Sequence, residues 1–179
     1  MRERKLHRPA IATLITALTL VALPSPPATA AATSCWTLYD SERAMKRETN
    51  LSRINHGLDA LPLDQDLSKV ARRHSQKMAD ANEPFHSGSN AFSSLLTGGW
   101  TLLHENVGAA GVDGDTDPLG EIARLQKAFM ASPAHRENIL TRGSDYLGIG
   151  IVRRNGQLFV TVLLVEGSNP GTTLRVPTC

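Results

Sequence analysis

Residues 146–166 read YLGIGIVRRNGQLFVTVLLVE, and no other stretch constrains the fold as tightly. Two runs rich in Ile, Val, Leu and Phe flank the dipeptide Asn155-Gly156. A two-residue hairpin loop needs positive φ at its central positions, which Asn-Gly adopts at little steric cost, so this is the strongest short hairpin signal available. The two runs are therefore predicted to pair as antiparallel strands, and the sheet is at least partly antiparallel.

The rest of the chain reads mainly as helices. From Asp40 to about Gly57 the spacing predicts a first helix, with apolar Ala44, Leu51 and Ile54, a cap at Asp40 or Ser41 and a terminal glycine. Asp64 follows the turn "LPLD" as the predicted N-cap of a second helix. Leu67, Val70, Ala71, Met78 and Ala81 mark one face of that helix to about Asn82, and Pro84 ends it. "HSGSNAFSSLLTGG" reads as loop with one helical turn, and "WTLLHENVGAAG" as a short strand leaving into a glycine loop. Asp117 is expected to cap a third helix with Pro118 at its first position, and Ile122, Leu125 and Phe129 lie on one face. "SPAHRENIL" then opens a short helix with His135 in its first turn. The order is helix, helix, strand, helix, strand, strand, which predicts an α+β layered domain.

Residues 1–30 stand apart. A basic start, the apolar run "IATLITALTLVAL" and the small-x-small ending "PSPPATA" have the three-part layout of a secretory signal peptide, cleaved after Ala30. The apolar run is short for a membrane span and is followed at once by prolines, so no transmembrane anchor is expected after removal; a retained anchor is the alternative. Of 19 Lys+Arg and 17 Asp+Glu, this segment holds four bases and one acid, leaving 15 against 16. A mature net charge of about −1 implies no basic surface for nucleic acid or anionic lipid. Cys35 and Cys179 are the only cysteines of the chain. In an exported protein a disulfide between them is the default expectation, worth roughly 4–5 kcal/mol in the chain-entropy picture for so long a loop. Intermolecular pairing and two free thiols remain the alternatives.

Five histidines follow the signal segment. His56 and His74 lie inside helical patterns among charged neighbours and read as surface residues. His86, His104 and His135 sit at element edges beside loop signals. His86, Glu105 and His135 form one candidate constellation: two imidazoles and a carboxylate can bind a zinc-type metal with open positions, or act as an acid/base pair oriented by the carboxylate. The bland alternative is that each side chain caps or pairs locally. Asp113, Asp115 and Asp117 alternate as in a calcium loop. Pro118 and Arg124 stand where an EF-hand needs glycine and glutamate, so an acidic turn is the better reading.

"HENVG", "FMASPAHRENIL", "YLGIGIV…GQLFVTVLL" and "LSRIN…LPLDQDLSKVARRHSQKMA" together resemble the CAP superfamily of cysteine-rich secretory, antigen 5 and pathogenesis-related proteins, in its bacterial SCP-like branch. The likeness covers residues 48–166, after a lead-in of 31–47 that includes the start of the first helix, and before a tail of 167–179. It implies a three-layer α-β-α sandwich with a central antiparallel sheet and a His/Glu cleft. His86, Glu105 and His135 match the family's cleft residues, and His86 with His135 match the two histidines that bind Zn2+ in some relatives. The family's second glutamate falls on Ser132, His104 replaces a glycine, Phe129 a tryptophan and Val162 a glutamine, which weakens an acid/base version of the site. Ser132 is expected to cap its helix.

These features make the expected protein a secreted, extracellular, monomeric binding or interaction module. Its cleft would hold a divalent metal, a small polar ligand, or a lipid or cell-envelope ligand. The alternatives are a metal- or histidine-dependent, peptidase-like hydrolase using His86, Glu105 and His135, and a purely structural envelope protein.

Overall fold

The computed structural model describes residues 38–88, 100–112 and 118–167. The signal-like residues 1–30, Cys35 and Cys179, residues 89–99 of the segment expected as loop, and Asp113, Asp115 and Asp117 lie outside them. The elements are α1 Leu38–Ile54, α2 Gln65–Ala81, β1 Trp100–Gly111, α3 Leu119–Ala131, α4 Pro133–Ile139, β2 Tyr146–Arg154 and β3 Gln157–Gly167. Among the described residues the sheet has the order β1-β3-β2, with both pairs antiparallel. The hairpin turns where the sequence places it, with φ of 50° at Asn155 and 71° at Gly156. The strand β1 is longer than the expected short strand, because "VGAAG" continues the ladder to Gly111↔Gln157 instead of leaving as a loop.

Successive residues of a strand face opposite sides, so the sheet has two faces. One meets α2: Leu67, Ala71 and Met78 pack on Leu163, Val165 and Phe159. The other meets α1, α3 and α4, where Met45, Ile122, Phe129 and Ile139 pack on Leu147, Ile149, Ile151, Val160 and Val162. This is the α-β-α sandwich. Among the described residues no helix is long and apolar enough to cross a membrane.

The helix α2 matches its sequence signals. Asp64 accepts from Leu67 N at 2.8 Å, a cap of the kind worth about 1 kcal/mol, and Asn82 closes the helix at φ 55°. On α3 the N-cap is Pro118 itself, without a side-chain cap bond, so the helix starts one residue later than the expected proline-first turn. The helix α1 departs further. Leu51 and Ile54 are 45% and 53% exposed, and the buried face instead carries Met45, Thr49, Asn50 and Arg53. Those polar groups are satisfied: Asn50 exchanges two 2.9 Å bonds with the backbone of Leu61, and Thr49 donates to Gln126 Oε1 at 3.2 Å. Hydrogen bonds to neighbouring loops decide this face, and a search for apolar spacing does not see them.

Both sheet edges are covered, as edge strands require. At β2, Asp64 N donates to Leu147 O at 2.7 Å and Leu147 N to Pro62 O at 2.9 Å. Further along the same edge the carboxylate of buried Glu42 takes the Ile151 amide and the guanidinium of Arg72. At β1 the cover is α4, which brings His135 with it.

Candidate functional site

Glu105 and Asn106 are neighbours on β1, so their side chains leave opposite faces of the sheet. Glu105 is buried and accepts three hydrogen bonds from the segment that follows α2: His86 Nδ1 at 2.9 Å, Ser87 N at 2.9 Å and Ser87 Oγ at 2.6 Å. Because a carboxylate only accepts, Nδ1 of His86 is the donor, and its Nε2 is left for another partner. The His86 side chain is 61% exposed, so that nitrogen opens to the cleft.

On the other face, Asn106 Nδ2 donates to the His135 carbonyl at 2.9 Å, and Asn138 Nδ2 donates to Asn106 Oδ1 at 2.8 Å. Asn138 Nδ2 also reaches the Glu105 carbonyl at 3.3 Å, on the outer edge of β1. This amide pair clips α4 to the strand. The far end of α4 is held by Arg53, whose Nη1 donates to Ile139 O at 2.7 Å and to Thr141 O at 2.9 Å, an answer to the orphan carbonyls of a helix C-terminus.

His135 is half-buried beside the Phe129 ring, 4.9 Å between centroids. Burial, and then the charge of His86, push its pKa below the ordinary histidine value. The influence of His86 on His135 places the two imidazoles within electrostatic reach of each other, one from each helical layer. They meet beside the outer edge of β1. His86, Glu105 and His135 are thus brought together by the fold. His104, also on β1, is half-buried and makes no described bond with them.

Two expectations need correction. His74 is not a surface residue: it is 7% exposed, its Nε2 donates to Phe85 O at 2.7 Å, and it lies 3.9 Å from Glu105 Oε2. Its ring meets Phe85 edge-on, fixing the turn that delivers His86. Helical spacing does place His74 beside Ala71, Ser75 and Met78 on the buried face, but Arg72 and Arg73 made the neighbourhood read as surface. Ser132 occupies the N-cap position of α4 without a side-chain cap bond. Pro133 takes the first helical position, where its missing N–H is an orphan in any case. His56 is exposed, as expected, with Nδ1 2.7 Å from Ser52 O. Arg53 was not singled out from the sequence, and Asn138 and Asn106 entered only as local partners of His135 and Glu105. The one available signal was the spacing of three between His135 and Asn138 on a short helix.

Among the described residues no group of three or more His, Cys, Asp or Glu side chains is arranged to enclose a metal ion. The arrangement offers two nitrogens and open positions, with Glu105 engaged behind His86.

Comparison with known proteins bears on the family and the fold. The family model described as CAP, cysteine-rich secretory protein family, matches residues 46–165. The Bacillus subtilis (strain 168) protein YkwD is 32% identical over 132 residues, 70% of this chain and 50% of its own length. A crystal structure of an extracellular Bacillus anthracis protein containing an SCP domain aligns at TM-score 0.57 and 26% identity, over 71% of this chain and 40% of that one. An outer surface protein of Borrelia burgdorferi, 18% identical, aligns at TM-score 0.61 over 72% of this chain and 94% of its own, a likeness of fold. The chain thus spans half or less of the two Bacillus proteins.

Proposed function

The chain belongs to the CAP, or cysteine-rich secretory protein, family, and from that premise we propose that it is an exported binding module whose cleft holds a divalent metal ion between His86 and His135. The observation that carries this reading is the 2.9 Å bond from His86 Nδ1 to buried Glu105. A carboxylate behind a histidine fixes its tautomer, orients the ring and raises the basicity of the far nitrogen, the usual support of a metal-ligating imidazole. The depressed pKa of His135 keeps the second imidazole neutral, as a ligand must be. Two protein nitrogens leave the remaining positions of a zinc ion to solvent or to a polar group of a ligand. Export is supported by the signal-like layout of residues 1–30 and by the extracellular placement named for the Bacillus anthracis relative.

Calorimetric titration of the purified protein with Zn2+ tests the reading, beside the His86→Ala/His135→Ala double variant. Saturable one-to-one binding is expected, lost in the double variant and weakened about 10- to 100-fold by Glu105→Gln, which removes the support behind His86. Binding should also fall as pH drops through the histidine range, since protons compete for the same nitrogens. Absence of heat with the unaltered protein would sink the metal reading. A lipid or polar ligand would then be the cleft's occupant, and co-purifying material would identify it.

A further inference from the structure

The cover of the two sheet edges is uneven. On β2 the backbone groups that face away from β3 belong to Leu147, Ile149 and Ile151, and each of these residues is engaged. Leu147 bonds with Asp64 N and Pro62 O, Ile149 N with Ser68 Oγ, and Ile151 N with the Glu42 carboxylate. On β1 the alternation is set by Val112 N, which donates to Gly156 O at 2.7 Å on the inner side. Counting back by twos, Ala110, Gly108 and Asn106 face β3, while Gly111, Ala109, Val107 and Glu105 turn their N–H and C=O outward. The bond from Asn138 Nδ2 to the outward carbonyl of Glu105 has the same phase. The outward groups of Val107, Ala109 and Gly111 have no hydrogen-bond partner among the described residues.

Exposure rises along this run, from buried Val107 through half-buried Ala109 to exposed Gly111. Edge strands are ordinarily guarded by a charge, a proline, a bulge or a covering element. The register shift between Trp100 and Leu102 guards the start of β1, and α4 guards Glu105. Residues 107–111 read VGAAG and contain no charge and no proline, and their register with β3 is unbroken. A Cβ added at Gly111 would meet nothing within 4 Å, so the space beside the end of the run is open.

Donor and acceptor pairs recurring at every second residue, about 7 Å apart, match the edge of another extended chain. A second copy of this protein fits poorly, because the free run is short and consists mostly of glycine and alanine. A ladder of that length buries far less than the roughly 1,200–2,000 Å² of a stable interface. We propose that the outer edge of β1 from Val107 to Gly111 binds a short extended peptide, which adds a fourth strand to the sheet. The contact uses backbone groups and no histidine, so it stands apart from the metal reading, although the added strand points along β1 toward Glu105 and the two imidazoles.

Backbone amide exchange and chemical shifts of the purified protein test this. In the free protein the Ala109 and Gly111 amides should exchange rapidly, while those of Gly108 and Ala110, which face β3, should be protected. The probe is acetyl-Thr-Val-Thr-Val-Thr-amide, beside the same peptide N-methylated at every residue. The unmodified peptide should shift the Ala109 and Gly111 amides saturably and protect them from exchange. The N-methylated form keeps the side chains but lacks the donors, and should bind at least about tenfold more weakly, the worth of about one hydrogen bond. Ala109→Pro removes an outward N–H and no bond to β3, so it should abolish binding while the chain still folds. The His86→Ala/His135→Ala double variant should bind the peptide as the parent does. Protected Ala109 and Gly111 amides in the free protein overturn the proposal, since another segment or a second copy would then hold the edge. It is overturned too by no saturable shift at tens of millimolar, by equal binding of the N-methylated peptide, or by binding lost with the two histidines. Undiminished binding in a folded Ala109→Pro has the same force; if that variant does not fold, the two peptides decide.

Discussion

The two faces of the sheet are built on different principles. Toward α2, the strand β2 presents Gly148 and Gly150, and the helix comes almost onto the strand backbone. A Cβ on Gly150 would lie 2.1 Å from Arg72 N, and one on Gly148 2.5 Å from Leu67 Cβ. The gap is sealed by a buried polar network: Ser75 Oγ lies 2.8 Å from both Gly150 O and Thr161 Oγ1, and Ser68 Oγ takes Ile149 N at 3.1 Å. Toward α1, α3 and α4 the alternate residues are Leu147, Ile149 and Ile151, filling volume against Met45, Ile122 and Phe129. One face is a close backbone fit and the other is packed by apolar bulk. Each carries half of the cleft: α2 leads to Phe85 and His86, while α3 leads to His135. The imidazole delivered by the close-fitting layer is bonded to Glu105, which also takes two bonds from the neighbouring Ser87; its counterpart rides on a seven-residue helix held by amides and an arginine.

That contrast is broken most sharply by adding one carbon. In Gly150→Ala the new Cβ meets helix backbone, which cannot step aside like a side-chain tip, so α2 must lift from the sheet. The expected loss is about 4 kcal/mol or more, a large share of the roughly 5–15 kcal/mol that holds a typical domain folded. Chemical denaturation would register a large drop in midpoint or no cooperative transition. A variant melting like the parent would mean that α2 tolerates a looser fit than its glycines imply. The other face should fail in the opposite sense, by removal of volume. Ile149→Ala, in a position with no exposed surface, should cost about 2–5 kcal/mol through lost burial and the cavity left behind.

These two faces were not equally legible in the sequence. The hairpin was readable because Asn155-Gly156 needs no distant partner, and α2 because Asp64 and its apolar spacing are local. The α2 contact was not, since two glycines in a strand mark close approach only once the approaching helix is known. The same holds for the cleft. His86, Glu105 and His135 lie in three segments, and residue chemistry alone left their meeting open; the resemblance singled them out. His74, Asn106, Asn138 and Arg53 act through partners distant in sequence or on backbone carbonyls, which leave no pattern of spacing. The exposed Leu51 and Ile54 show the converse: of the apolar residues expected to face inward on α1 only Ala44 is buried, because hydrogen bonds to the 59–61 loop and to α3 and α4 set its orientation.

Asn138→Ala probes how the weaker half of the cleft is held. It removes the bonds to Asn106 Oδ1 and the Glu105 carbonyl, and leaves the amide oxygen of fully buried Asn106 without its donor. A loss of about 1–3 kcal/mol is expected. If α4 positions His135 for metal, zinc binding should weaken by about tenfold or more, the usual effect of losing an outer-shell partner. Unchanged zinc binding in a destabilised variant would confine Asn138 to covering the strand edge.

A milder contrast with Gly150 comes from Gly108, whose added Cβ would face Leu125 Cδ1 at 3.0 Å and Phe129 Cζ at 3.2 Å. Those are the ends of side chains, which can shift by a few tenths of an ångström. Gly108→Ala should therefore cost less than about 1.5 kcal/mol, helped by the entropy the glycine no longer loses on folding. A cost as large as that of Gly150→Ala would show the apolar face to be equally rigid, and the distinction between the two faces would fall.

The smallest effect concerns the edge where both layers meet, at Glu42 and Arg72. Burial raises the Glu42 pKa above its ordinary 4.5, and it outweighs the opposing pull of Arg72 and of the Ile151 amide. A carboxyl whose pKa is raised by folding favours the folded state while protonated. That contribution is fully present below about 4.5 and is lost as pH rises through the higher folded value. Glu42→Gln carries no such titration. The stability of the natural chain relative to Glu42→Gln should therefore decline as pH rises from about 4 to 7, read as the difference between two denaturation midpoints at each pH. A difference that grows with pH would mean that Arg72 wins over burial, and that the ion pair itself fastens α1 to α2 around the edge of β2.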